Sequence, residues 1–408
     1  MTQLWSLARA TRSIASALVG LAGVLGGCGD AEDASAGRAE AGPAIEYRLV
    51  YEVGRDEGGL TFGAVGPGAF DDAGAFWTYD FMRAEILHLD VNGDLLDRKG
   101  RGGRGPGEFS ELRRVGLTPD GMEVWAADHR LGRVTFFDLD SDGIRTVGQP
   151  EYYYAPPLTM QGPLVPLPDG AFAVLPPETV ELPFQFPDTL VSQPIIRVDA
   201  DGVVLDTLLA PPPLAIGGLR LHHVEGIGST VRVMGEEPLF WASPRGMQVG
   251  AIDRLHGLEP GVLGTVHRAR WLEGTWSRDT LVVPGNPVAG TREEVRQRLD
   301  NLGLSEGTDR DAIVREVEGK PLGIPPFLST ISNFHLMSDG TIWIGIQDVF
   351  RGPTRWIRRT EDGTDWVPVE FPASNIFRLL DASGQRVAAV LMDEFRVQSL
   401  AVFERVER

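Results

Sequence analysis

The sequence predicts an all-β chain, a six-bladed β-propeller of four-stranded antiparallel blades closed by its N-terminal strand, with a short helical insertion. Three observations predict it. Short alternating runs rich in Val, Ile, Phe, Trp and Thr recur along the chain, each ending in an acidic or small residue and then Gly, the pattern of a strand entering a tight hairpin. Two stretches align at a spacing of about 48 residues, with Trp77 and Trp125 three residues before Asp80 and Asp128, and further aspartates at Asp90 and Asp138. The last unit lacks a fourth strand, whereas an unassigned strand precedes the first.

The first thirty residues read as an address. Arg9 and Arg12 lead into the apolar run Ser13 to Leu25, followed by Leu25-Gly26-Gly27-Cys28. The run is shorter than the ~20 residues a spanning helix needs, so a cleaved signal is expected over 1–27. Leu25 to Cys28 resembles a bacterial lipobox, which makes Cys28 the lipid attachment site. Cys28 is the only cysteine, so no intramolecular disulfide can form. Residues 28–45 read as a flexible tether rich in Ala, Gly, Asp and Glu. Lipoproteins of this type are held in the inner membrane by an Asp directly after the cysteine. Gly29 stands there and Asp30 comes one place later, so outer-membrane sorting in the cell envelope is expected.

The propeller is expected over 46–408. Residues 46–53 supply the closing strand. First-hairpin turns end at Gly74, Gly121, Gly170, Gly246, Gly340 and Gly384, and second-hairpin turns at Gly93, Gly143, Gly202, Gly274 and Gly363. After Gly384 come strands around Val387–Met392 and Val397–Val406, and pairing residues 46–53 with this incomplete unit removes the open edges of the ring. In the fourth unit Ser-Pro-Arg-Gly at 243–246 replaces the usual Asp-Gly turn.

The pattern resembles bacterial six-bladed propeller lipoproteins of the NHL/TolB-like group over almost the entire mature chain. The residues that carry the likeness are Gly105-Pro106-Gly107-Glu108-Phe109, after an Arg/Gly-rich run, and the blade core from Asp128 through Arg133, Val134 and Phe137 to Asp138.

Composition bounds the function. The chain has 408 residues, 42% hydrophobic and 23% charged, enough apolar material for a large core. Its net charge of −19 repels phosphate backbones and excludes nucleic acid as an expected partner. The long segments 149–162, 176–193, 211–229, 251–264 and 284–326 all fall, by strand parity, on one face of the ring, where long loops on a rigid scaffold carry recognition. Within 284–326, Thr291 and Glu294 form a capping box ahead of Val295, Leu299 and Leu302, which predicts the one helical patch, a lid or cap.

Several motifs have plain explanations. Gly100-Arg-Gly102-Gly103-Arg-Gly105 formally fits the dinucleotide-binding pattern, but the following residues predict a strand rather than the helix that would meet a pyrophosphate. Asp138, Asp140 and Asp142 match half of a calcium loop, yet Gln149 stands where the last ligand, Glu, belongs. His222, His223 and Glu225 with His335 are a metal alternative, although adjacent histidines on a strand point to opposite faces. Asp80, Asp128 and Asp393 end second strands, and their recurrence at one blade position predicts carboxylates that hold loops. Trp77, Trp125 and Trp343 recur likewise and predict packing between blades.

The expectation is a lipid-anchored extracytoplasmic propeller that binds a protein, peptide or small molecule with its insertion-rich face and needs no cofactor. Its contacts would come from Arg83, Arg101, Arg104, Arg130, Arg133, Asp393 and Glu394. The competing expectation is a metal-dependent hydrolase or lyase at the channel mouth, using His335, His222 and nearby carboxylates.

Overall fold

The computed structural model describes residues 43–407 apart from 56–58, 149–163, 176–189, 192–193, 213, 216–238, 255, 302–308, 320–322, 348–353, 361–362 and 364. Cys28, His222, His223 and Glu225 lie outside the described residues.

Six four-stranded antiparallel blades form the ring, each numbered from its inner strand outward. Blade 1 comprises Ala69–Phe70, Phe76–Asp80, Glu85–Leu89 and Leu95–Lys99, and blade 2 Leu112–Leu117, Glu123–Asp128, Arg133–Asp138 and Ile144–Gly148. Blade 3 comprises Val165–Pro166, Phe172–Val174, Ile195–Val198 and Val204–Leu209, and blade 4 Leu239–Ala242, Gln248–Asp253, Gly261–Leu272 and Thr275–Gly285. Blade 5 comprises Ile331–Leu336, Ile342–Ile346, Arg355–Arg359 and Trp366–Glu370. Blade 6 takes Ile376–Ser383, Arg386–Met392 and Gln398–Arg405 from the C-terminus, and its outer strand is Ile45–Val53 from the N-terminus.

That closing strand runs antiparallel to the last one, from Tyr47 opposite Arg405 to Val53 opposite Leu400, and its first two residues also pair in parallel with blade 5 at Val369 and Glu370. Tyr47 secures the seam. Its ring stacks on Phe371 at 5.2 Å, and its hydroxyl accepts a 2.7 Å hydrogen bond from the buried Arg358 of blade 5. All six first-hairpin glycines adopt positive φ, between 59° and 81°, a conformation that side-chain-bearing residues reach only with strain.

Burial follows radius. Leu95–Lys99 and Ile144–Gly148, outer strands of blades 1 and 2, are almost wholly exposed, while second strands such as Phe76–Asp80 and Ile342–Ile346 are buried throughout. Trp77, Trp125 and Trp343 are each at most 2% exposed and sit in the apolar layers between sheets.

Two expectations about the insertions are corrected. Segment 251–264 is not a long loop: the second strand of blade 4 runs to Asp253 and the third starts at Gly261. The ladder pairing Gly261–Leu272 with Gly285–Thr275 takes up 261–264, which leaves a short connection between Asp253 and Gly261. Segment 284–326 holds two helices rather than one, α1 (Arg292–Asn301) and α2 (Arg310–Glu318), on a stem in which Val288 and Ala289 pair with Leu328 and Phe327. Asp309 caps α2 by accepting from the Ala312 amide at 2.9 Å, and Thr291 caps α1 by accepting from the Glu294 amide at 3.1 Å. Val295 and Leu299 of α1 bury against Ile313, Val314 and Val317 of α2, giving the insertion its own small core.

Candidate functional site

The ring has two unlike faces. Turns joining strands 1–2 and 3–4 make one, the turn face; strand 2–3 loops and blade-to-blade connections make the other, the loop face. The described ends of every long connection leave and re-enter on the loop face.

The carboxylates at the loop-face ends of second strands are committed to backbone. Asp80, fully buried, accepts from the amides of Gly63 at 3.0 Å, Met82 at 2.9 Å and Arg83 at 3.3 Å. Asp128, also fully buried, accepts from Ser110 at 2.5 Å, Glu111 at 3.2 Å and Leu131 at 2.9 Å. Asp393 accepts from Phe395 and Val397, each at 2.9 Å. Asp253 of blade 4 occupies the same position, binding the amide and ring of His256, and the sequence reading missed it. Asp138 likewise accepts from Asp140 and Ser141 at 2.9 and 2.8 Å, so the half-matched calcium loop is a hairpin turn.

The predicted arginines do not converge. Arg83 grips Thr61 through its carbonyl and hydroxyl and pairs with Asp80 at 3.4 Å. Arg133 donates to the carbonyls of Gly105 and Glu108, both at 2.6 Å, and so clamps the loop between blades 1 and 2. The Arg/Gly-rich loop closes on its own acid: Glu108 accepts from Gly105 N at 2.7 Å, Arg104 N at 2.9 Å and Arg101 Nε at 2.9 Å. The Gly105 amide, then the Arg101 side chain, hold the Glu108 pKa below its ordinary value. Arg130 and Glu394 stand exposed on blades 2 and 6.

The axis is a different environment. Its turn-face end is plugged by the unusual Ser243-Pro244-Arg245-Gly246 turn of blade 4. Arg245 crosses the ring to blade 1, where Nη2 donates to the Phe70 carbonyl at 2.9 Å and pairs with Asp72 at 2.8 Å. The Pro244 carbonyl lies where a Cβ on Gly116 of blade 2 would come within 2.2 Å, and the Pro166 carbonyl of blade 3 would be 2.0 Å from a Cβ on Gly246. Gln248 reaches the Met337 carbonyl of blade 5 at 2.8 Å, and Asp381 of blade 6 accepts from Phe70 N at 3.1 Å and Ser338 N at 2.8 Å. Every blade is thereby tied into one floor.

Above the floor, inner strands of three blades bring Arg114, Trp241 and His335 into a chain of contacts, and a fourth carries Arg378, whose charge acts on His335. The Arg114 guanidinium lies 5.9 Å from the Trp241 ring centroid and donates to the Ala242 carbonyl at 3.4 Å. The Trp241 ring meets His335 edge-on at 4.5 Å, and Trp356 lies 5.8 Å from the same imidazole. Arg378 donates to the Val65 carbonyl of blade 1. His335 is 2% exposed, and among the described residues neither ring nitrogen has a hydrogen-bond partner. Trp241 Nε1 and Arg378 Nε are buried and have no partner among the described residues either. Burial pushes the His335 pKa down to about 3, with the Arg378 charge adding to the shift, so the imidazole is neutral at physiological pH. Among the described residues no group of three or more His, Cys, Asp or Glu side chains is arranged to hold a metal ion.

His335 was legible from sequence as an inner-strand histidine. Arg114 and Arg378 were missed, although each stands on an inner strand, Leu112–Leu117 and Ile376–Ser383. A separate cleft of about 530 Å³ lies on the outer rim beside Ile45, Gln385 and Arg405, away from these groups.

No family model matches the chain, and no curated protein matches its sequence. Solved structures share the arrangement of strands at low identity. A putative exported protein from Bacteroides fragilis is 10% identical, with 90% of this chain and 99% of that chain covered and a TM-score of 0.45. Regucalcin, a calcium-binding protein from Agrobacterium tumefaciens, is 11% identical over 90% and 98% of the two chains, TM-score 0.38. A catalytically inactive virginiamycin B lyase from Staphylococcus aureus, crystallised with quinupristin, is 10% identical over 88% and 100%, TM-score 0.37. The fold assignment rests on the strand pairing itself.

Proposed function

We propose that the protein is an exported, lipid-anchored propeller that captures a small ligand at its axis, entering from the loop face, and does not turn it over. The observation that carries this reading is the inequality of the two ends of the axis: one is crossed by the Ser243–Gly246 turn, while the described ends of the long connections all lie on the other face. Inner strands around the axis carry buried polar atoms, on Trp241, His335 and Arg378, that have no partner among the described residues.

Turnover has less support. His335 is neutral, and among the described residues no carboxylate orients it, so the general-base arrangement of a hydrolase is missing at this point. The anchor rests on Cys28 and the apolar run before it.

Mass spectrometry of small molecules co-purifying with the full-length chain tests the binding reading. One species is expected with the native protein and absent from Trp241→Ala. Equal recovery from both, or none from either, would count against it. Cys28→Ser is expected to move the protein from the membrane fraction to the soluble one, and unchanged fractionation would remove the anchor.

A further inference from the structure

We propose that the ring is held with its turn face toward the bilayer and its loop face toward the aqueous side, so that the axial ligand arrives as a water-soluble molecule and not as a lipid drawn from the membrane. The proposal deepens the binding reading above and rests on the lipid anchor at Cys28.

The direction of the closing strand fixes where the chain joins the ring. Tyr47 lies opposite Arg405 and Val53 opposite Leu400 in an antiparallel ladder. The late end of this strand belongs to the loop face, since Arg55, just beyond it, pairs at 3.9 Å with Asp393 in the strand 2–3 loop of blade 6. The early end belongs to the turn face. There the Val406 amide donates to the Glu46 carbonyl at 2.8 Å, and the Arg405 amide donates at 2.8 Å to the carbonyl of Gln385. Gln385 lies in the first hairpin turn of blade 6, between the paired Ser383 and Arg386. Residues that precede Ile45 therefore reach the ring at its turn-face rim.

Chain length favours one orientation over the other. Ile45–Val53 is nine residues long, which at ~3.3 Å per step amounts to about 26 Å of rim height. Residues 28–42 number 15 and are rich in Ala, Gly, Asp and Glu. A flexible tether of that length has a root-mean-square span of about 21 Å. With the turn face toward the bilayer the tether is relaxed. With the loop face toward it, the tether has to run back over the full height of the rim, beyond its relaxed span, and that stretching costs chain entropy. Exposed acids on the turns, among them Asp94, Asp120, Asp142, Asp201 and Glu273, repel an anionic leaflet. Because that repulsion is screened within about 8 Å, the tether sets the gap between ring and lipid.

Energy transfer to the bilayer tests the orientation. The full-length protein, lipidated at Cys28, is added to preformed vesicles of phosphatidylethanolamine and phosphatidylglycerol that carry a headgroup-linked acceptor dye. A donor dye is attached to one introduced cysteine: Met122→Cys in the first hairpin turn of blade 2, on the turn face, or Met82→Cys in the strand 2–3 loop of blade 1, on the loop face. Both methionines are exposed, at 49% and 70%. Transfer from the Met122→Cys label is expected to exceed that from Met82→Cys about twofold, given a height difference of roughly 20 Å. Phe395→Cys, at a position 78% exposed on blade 6, supplies the loop-face label should Met82→Cys fail to fold. A Gly/Ser segment inserted after Glu40 is expected to lower turn-face transfer and bring the two values together.

Equal transfer from both faces, greater transfer from the loop face, or a ratio indifferent to tether length would each overturn the proposal, and flotation of the same protein with the vesicles would leave the anchor standing. A protein that does not float with the vesicles would remove the anchor and the proposal with it. Recovery of a bilayer lipid as the species lost in Trp241→Ala would overturn the water-soluble ligand while leaving the binding reading intact.

Discussion

Asp128→Ala separates a carboxylate that holds the fold from one that serves a ligand. Asp128 is fully buried and receives three backbone amides, from Ser110, Glu111 and Leu131, at 2.5 to 3.2 Å. Ser110 and Glu111 belong to the connection entering blade 2, and Leu131 to that blade's strand 2–3 loop, so one side chain ties two loop-face segments together. Alanine strands all three donors. An unsatisfied buried amide costs about 1–3 kcal/mol, and because these amides lie near the loop face, water recovers part of the loss. The expected destabilisation is about 3 kcal/mol, or about 4 °C in the unfolding midpoint of a domain this long. Equilibrium urea denaturation read by tryptophan fluorescence measures it. Asp128→Asn, which keeps one acceptor oxygen, should lose roughly half as much. Asp393→Ala, where two amides are freed beside a side chain 20% exposed, should cost under about 1 kcal/mol. Native stability of Asp128→Ala together with loss of the co-purifying ligand would refute the reasoning and make Asp128 a binding group.

Three further outcomes are expected. Gly246→Ala places a Cβ 2.0 Å from the Pro166 carbonyl at a φ of 67° and should cost about 2–4 kcal/mol, whereas Gly121→Ala, at φ 73° with its nearest neighbour 3.6 Å away, bears only the backbone strain of about 1 kcal/mol. Equal losses in the two variants, by urea midpoint, would remove the plug. Tyr47→Phe withdraws the acceptor from buried Arg358 and should cost about 1.5–3 kcal/mol, and a change below measurement error would show that the seam does not depend on that bond. Burial pushes the Asp381 pKa up to about 7 and raises that of Asp339. Between about pH 4 and 7 native Asp381 therefore holds a proton that the unfolded chain has lost, and stability falls as pH rises, by at most ~1.4 kcal/mol per pH unit. Asp71, Asp90 and Asp120, whose pKa values are lowered, act the other way and lose their contribution only as pH falls below about 4. Asp381→Asn should flatten the slope between pH 4 and 7, and urea midpoints with an unchanged slope would contradict the assignment.

Local chemistry made the ring legible in the sequence. A hairpin needs a residue at positive φ and a strand needs alternation, so Gly74, Gly121, Gly170, Gly246, Gly340 and Gly384 count the blades from sequence alone. The strand deficit after Gly384 and the surplus at 46–53 likewise implied closure, because unpaired edges are unstable in water. Loop-holding aspartates were legible for the same reason, since Asx side chains act within a few residues of their own backbone.

Tertiary structure alone decided the axis. Arg114, Trp241 and His335 come from strands separated by up to 221 positions, and only ring closure makes them neighbours. The Ser243–Gly246 turn shows the contrast most plainly. In sequence it is an irregular hairpin, while in the fold it reaches across the ring, because its backbone packs against Gly116 and Pro166 and its guanidinium finds partners on a blade it never approaches along the chain. Periodicity specifies which residues pair with their neighbours in sequence. What fills the centre of six such units is set by the few side chains that point away from every sheet, and those follow no period.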